Sequence, residues 1–136
     1  MKFSTYTDGG ARGNPGPAGI GGVVYDEQGQ VVAEVSEYIG ETTNNQAEYR
    51  ALLATLLKAH ELGAKEVDCY ADSLLVVNQM NGKWRVKHAE IQPLVIQAHN
   101  LRTQIGRVRF HHVPREQNTA ADALVNKAID AATASR

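Results

Sequence analysis

Apolar and β-branched residues gather in three early segments, Lys2–Thr7, Ile20–Tyr25 and Val31–Tyr38. A glycine- and proline-rich stretch separates the first two and Asp26-Glu27-Gln28-Gly29 the second two, a pattern that predicts an antiparallel β-meander. The hydrophobic period then becomes helical across Asn45–Leu62 and stops at Gly63, and Glu66–Ala71 returns to strand character. Ser73 to Met80 predicts a helix stopped by Asn81-Gly82, and Glu90 to Thr103 predicts another that tolerates Pro93 only in its first turn. Arg107–Val113 is the last expected strand, Pro114–Asn118 a loop, and Thr119–Ala132 a terminal helix capped by Asn118 or Thr119.

Strands 1, 4 and 5 are joined through helices, so right-handed crossovers make them parallel, while strand 2 runs against strand 1. The expected fold class is α/β: a mixed five-stranded sheet with helices on both faces. A length of 136 residues fits one domain, 1–136, with the small-residue tail 131–136 expected to fray.

Composition narrows the function. Fourteen basic against fifteen acidic residues give a net charge of −1, which argues against reliance on bulk charge to hold a polyanion. Nucleic acid would have to be held by a local patch and by metal. Cys69 is the single cysteine and sits in an apolar strand, so it is expected in the core, with no internal disulfide. No apolar run approaches the roughly 18 residues of a membrane span, and no signal-like segment opens the chain, so a cytoplasmic monomer without membrane contact is expected.

Four acids stand where solubility does not need them. Asp8 and Asp72 each close an apolar strand, in the matching triplets Tyr6-Thr7-Asp8 and Tyr70-Ala71-Asp72, at the strand ends where open α/β sheets place their sites. Adjacent parallel strands would bring both carboxylates out at one level. Glu48 precedes Leu52 and Leu56 at helical spacing, and Asp122 precedes Val125 and Ile129, so both lie on the core side of helices. Taken singly, each has an ordinary explanation as a turn starter, a helix cap or a first-turn acid. Together they would raise one another's pKa values unless concentrated positive charge were present, and hard divalent cations suit such oxygen ligands. Mg²⁺ at a phosphodiester is the natural reading.

Two further stretches offer ligand contacts. Gly9-Gly10-Ala11-Arg12-Gly13-Asn14 follows Asp8 and permits close backbone approach, although alone it is only a hairpin loop. Thr42-Thr43-Asn44-Asn45 offers hydroxyls, amides and free N–H groups at a helix start, which suits a phosphate as well as a cap.

Tyr6-Thr7-Asp8-Gly9-Gly10, Thr43-Asn44-Asn45-Gln46-Ala47-Glu48, Asp72-Ser73 and Asn118-Thr119-Ala120-Ala121-Asp122-Ala123-Leu124 closely resemble the ribonuclease H type 1 family, over nearly the whole chain. The resemblance implies a metal-dependent endonuclease that cuts the RNA strand of an RNA/DNA hybrid, leaving 5′-phosphate and 3′-hydroxyl ends. It implies two Mg²⁺ ions, with Mn²⁺ a substitute: one held by Asp8 and Asp122 to activate water, the other by Asp8, Glu48 and Asp72 at the leaving oxygen. It further implies that Asn14, Asn44 and Asn45 meet the minor groove and that Thr43 meets a DNA phosphate. The backbone of Gly10, Ala11, Arg12 and Gly13 would face the RNA strand, with Asn118 also at the substrate.

This sequence departs from the family pattern twice. Where many relatives carry a long basic protrusion, it has only Gly82-Lys83-Trp84-Arg85-Val86-Lys87-His88, as in short prokaryotic forms. Trp84 would stack on a sugar between cations that meet phosphates, the alternative being a buried Trp with solvated flanks. The loop before Asp122 lacks the mobile histidine of well-studied relatives, and Arg115 is the substitute expected to act on the leaving phosphate. His111 and His112 precede that loop on a strand, so at most one could face the site, while His60, His88 and His99 show no ligand spacing.

A hybrid-binding module that does not cut, another nuclease on the same fold and a metal-dependent phosphatase are the competing readings. All four acids weigh against the first, the Thr-Asn-Asn motif beside the glutamate against the second, and the lack of anything to close over a small substrate against the third.

Overall fold

The computed structural model describes residues 1–134. Its elements are β1 (Lys2–Ala11), β2 (Gly16–Tyr25), β3 (Val31–Thr42), α1 (Asn44–Glu61), β4 (Glu66–Ala71), α2 (Leu74–Met80), α3 (Gln92–Ile105), β5 (Arg107–His112) and α4 (Thr119–Thr133), with a 3-10 turn at Arg115–Gln117. The sheet order is β3-β2-β1-β4-β5, antiparallel from β3 to β1 and parallel from β1 to β5, as the connectivity predicted.

The first hairpin is longer than the sequence suggested. Glycine after Asp8 reads as a turn, yet β1 continues through Asp8 to Ala11, which pairs with Ala18 of β2. These glycines stay in strands because helices approach both faces too closely for side chains. A Cβ on Gly9 would lie 2.2 Å from the Ala47 carbonyl of α1, and one on Gly21 would lie 2.2 Å from the Ala121 carbonyl of α4. Neighbouring strand residues point to opposite faces, so Gly9 against α1 and Gly10 against Val125 of α4 place those helices on opposite sides of the sheet.

The main core lies on the α1 face. There Phe3, Val24, Val67, Cys69, Val108 and Phe110 from alternate strand positions meet Tyr49, Leu52 and Leu56 of α1 and the inner sides of α2 and α3. Cys69 is buried, as expected. On the other face Tyr6 stacks on Tyr70 with ring centroids 4.8 Å apart, and Tyr70 stacks on His111 at 4.9 Å.

Helix α4 includes Ala131 to Thr133, residues whose composition suggested fraying, because Ile129 is buried and the Thr133 hydroxyl donates to its carbonyl. The end of the expected frayed tail, 135–136, lies outside the described residues. Among the described residues no helix is long and apolar enough to cross a membrane.

Candidate active site

Parallel pairing of β1 with β4 sets Tyr6 opposite Tyr70 and Thr7 opposite Ala71, so Asp8 and Asp72 emerge side by side just beyond the last pair. The repeated Tyr-x-Asp triplet is thus a register mark. Glu48 reaches the same point from the second turn of α1, where contact of its backbone with Gly9 brings helix and strand together. One carboxylate oxygen from each of Asp8, Glu48 and Asp72 lies within 4.8 Å of the others.

Asp122, from the first turn of α4, faces Asp8 across a depression of about 340 Å³ that Arg115 and Arg12 also line. A larger groove of about 560 Å³ between α1, α3 and β3 has a mainly apolar lining and lacks a comparable acid cluster.

Electrostatics and burial act together here. Asp8 is 8% exposed, and burial, reinforced by Asp72 and Asp122, raises its carboxyl from the ordinary 3.8 to about 7 despite a favourable contact with Glu48. Glu48 is also held well above its ordinary range, first by burial and then by Asp8, although the Gly9 N–H donates to its Oε1 at 3.1 Å. A divalent cation fits this donor set: three hard oxygens converge, and carboxylates that resist ionisation side by side are stabilised by a positive charge among them.

Amides hold the remaining acids. Asn118 Nδ2 donates to the Thr7 carbonyl at 2.9 Å and to Asp72 Oδ2 at 3.2 Å. Asn118 is 1% exposed, so its expected place on the substrate surface is corrected: burial between β1 and α4 makes it the support of Asp72. Asn126 Nδ2 approaches Asp122 Oδ2 at 3.4 Å one turn along α4, and Arg12 pairs with Asp130 a further turn on at 2.7 Å. The sequence reading missed Asn126, whose signal was its four-residue spacing from Asp122.

Beside the cleft, the glycine-rich loop is laced to the start of α1. Ala11 N–H donates to Asn44 Oδ1 at 2.7 Å, and Asn44 N–H donates to Asn14 Oδ1 at 3.1 Å. Thr43 is the N-cap of α1, its Oγ1 accepting from Gln46 N–H, and Asn45 follows in the first turn. Gly10, Ala11, Arg12, Gly13 and Asn14 therefore lie together with Thr43, Asn44 and Asn45 as one surface next to the carboxylates.

This arrangement is shared with known proteins. A family model described as reverse transcriptase-like matches residues 6–128. A ribonuclease H from Chlorobium phaeovibrioides is 31% identical over 94% of this chain and 95% of its own length. The chain belongs to the ribonuclease H family of enzymes, type 1.

Other members of the family are nearer in sequence. The bifunctional protein Rv2228c of Mycobacterium tuberculosis is 50% identical over 99% of this chain, and this chain spans 37% of that protein's length. The solved structure of LC11-RNase H1 in complex with an RNA/DNA hybrid is 47% identical, covers 96% of this chain and 98% of its own, and superposes with a TM-score of 0.91.

The remaining expected residues divide. Arg115 lines the cleft from the 3-10 turn and makes no ion pair among the described residues. Trp84 is 46% exposed in a stretch without helix or strand and does not line the cleft. His111 is turned to Asp68 at 2.9 Å, and neither it nor His112 lines the cleft. Burial and position leave His60, His88 and His99 outside the acid cluster, as their spacing implied.

Proposed function

We propose that this chain acts as a single-domain endoribonuclease that hydrolyses the RNA strand of RNA/DNA hybrids, using two Mg²⁺ ions that Mn²⁺ can replace. The products are 5′-phosphate and 3′-hydroxyl ends. The observation that carries the reading is the convergence of Asp8, Glu48 and Asp72 within 4.8 Å, beside a surface built from Asn14, Asn44 and the glycine-rich loop. The hybrid complex of a relative at 47% identity supports the same substrate.

Asp8, Glu48, Asp72 and Asp122 would hold the ions, which when bound supply the charge that activates water and stabilises the leaving 3′ oxygen. The chain's own groups prepare the site. Gly9 N–H orients Glu48, Asn118 orients Asp72, and Asn126 steadies Asp122. Arg115 lies free at the cleft to meet the departing phosphate.

The laced loop suits a hybrid read without regard to sequence. Asn14 and Asn44 use their amide oxygens within the protein, so their NH₂ donors are free for the acceptors that every base pair shows in the minor groove. The Ala11 and Arg12 N–H groups are also engaged, the latter with the Pro17 carbonyl, which leaves loop carbonyls as acceptors for 2′-hydroxyls, the groups that mark RNA. A monomer working in the cytoplasm completes the proposal.

The test is cleavage of an end-labelled hybrid with Mg²⁺ or Mn²⁺, beside RNA/RNA, DNA/DNA and single-stranded RNA, for wild type and Asp72→Asn. Internal cuts confined to the hybrid's RNA strand, carrying 5′-phosphates and lost in the variant, are expected. Hybrid binding without cutting by either ion would replace the nuclease with a binding module.

A further inference from the structure

Gln79 lies on the inner side of α2, 7% exposed, with both ends of its amide engaged. Its Oε1 accepts the Tyr49 hydroxyl at 2.6 Å, and its Nε2 donates to the Arg85 carbonyl at 3.1 Å. An amide in an apolar cluster is costly unless both functions are met. The two partners here belong to separate regions: Tyr49 directly follows Glu48 in α1, and Arg85 sits amid residues 81–91, which form neither helix nor strand.

That segment concentrates the positive charge of a nearly neutral chain, with Lys83, Arg85 and Lys87 around the half-exposed Trp84. Between its two ends, where Asn81 and Ile91 sit, its other hydrogen bonds are local or exposed. Lys83 and Trp84 N–H groups donate to the Asn78 carbonyl at the end of α2, and Gln92 Nε2 donates to the Val86 carbonyl at 3.3 Å on the surface. Asn81 Nδ2 ties the start of the segment to the Phe110 carbonyl at 3.2 Å and Ile91 is buried at its end, while Gln79 supplies the partly buried side-chain hydrogen bond that holds its centre, at Arg85.

We infer that Gln79 is a positioning residue for the substrate: through Arg85 it fixes the basic segment relative to the helix that carries Glu48, so that Trp84 and its flanking cations meet the bound hybrid. The inference rests on the hybrid-cleavage reading above. Gln79 touches neither the carboxylates nor the reacting phosphate, so its loss affects binding and leaves the chemical step.

Gln79→Met fills the space but strands the Tyr49 hydroxyl, which lowers stability for an unrelated reason. Combining it with Tyr49→Phe removes that orphan and separates the two effects. The experiment measures kcat and KM on a hybrid with Mg²⁺, the salt dependence of KM, and Tm for wild type, both single variants and the double variant. Gln79→Met should raise KM about tenfold, the scale of one stacking contact, with kcat within about twofold. Tyr49→Phe should lower Tm without moving KM. The double variant should recover Tm relative to Gln79→Met while keeping the raised KM and a shallower salt slope.

An unchanged KM in Gln79→Met, or a KM that returns to the wild-type value as Tm recovers, overturns the inference. A wild-type protein that does not cut refutes the parent reading instead. Hybrid Kd values for the same four proteins then decide on the tether by the same pattern.

Discussion

Every acid in the cleft projects from within a strand, from just beyond one or from a helix, each fixed several times over, whereas residues 81–91 follow no repeating hydrogen-bond pattern and depend on a few tethers. Asp8 and Asp72 are set by strand register, and Glu48 by the contact of α1 with Gly9. The basic segment has neither constraint. Under the proposed function the difference matches two tasks: in-line chemistry suffers from misplacement of an ångström, while screened charge acts over several ångströms and leaves stacking by Trp84 as the contact that needs the Gln79 tether. On the same reading, the groups whose geometry would set the rate sit on or just beyond regular elements, and the cations that would set affinity sit on irregular backbone.

Substitutions should break this contrast in a graded way. Asp72→Asn should lower kcat by roughly a thousandfold, several kcal/mol of lost charge stabilisation, with hybrid Kd little changed. Single-turnover cleavage beside a binding titration measures both, and wild-type rates in the variant would sink the carboxylate assignment. Gly9→Ala forces the Ala47 carbonyl away from a Cβ that would otherwise lie at 2.2 Å, so Glu48 moves with it. A loss of about a hundredfold in kcat and a lower Tm are expected, and a neutral result would show that the close approach is dispensable.

Asn118→Leu removes the donor to Asp72 and to the Thr7 carbonyl. Metal affinity measured calorimetrically should weaken roughly tenfold or more, in the range of other supporting residues. Unchanged affinity would return Asn118 to a purely structural role.

A fourth expectation concerns pH. Asp8 has a folded-state value of about 7 against 3.8, so the folded protein holds a proton that the unfolded chain releases. Its contribution to stability is complete below about pH 4 and disappears as pH rises through about 7. Tm measured in chelator should therefore fall across that window, and Mg²⁺ should flatten the fall. Asp68, held near 2 by Arg109, has the opposite sign: its contribution is present above about 4 and lost as pH falls toward 2, outside the window. A flat Tm profile in chelator would contradict the burial of Asp8. The smallest effect belongs to the segment: Lys83→Ala or Lys87→Ala should raise KM only a few fold and reduce the salt slope by about one each, with kcat retained.

The strand and helix order was legible because alternation and helical period record burial locally, one element at a time. The repeated Tyr-x-Asp triplet even announced the register that places Asp8 beside Asp72. The length of the first hairpin was not legible, since a glycine's turn preference and its packing role look the same in sequence. Asn118 misled for a similar reason. Its motif position pointed to the substrate, but two donor bonds inside the protein turned it inward.

The sequence by itself determined which acids this protein would bring to adjacent strands and helix faces, because those choices follow from local pattern and from motifs shared with its family; it placed the end of β1 at Asp8, whereas the strand runs on to Ala11. Tertiary structure alone decided which amide holds which carboxylate, how near α1 lies to Gly9, and that Gln79 joins Tyr49 to Arg85. Such distances depend on how helices and sheet pack together, and no residue's own neighbours along the chain encode that sum.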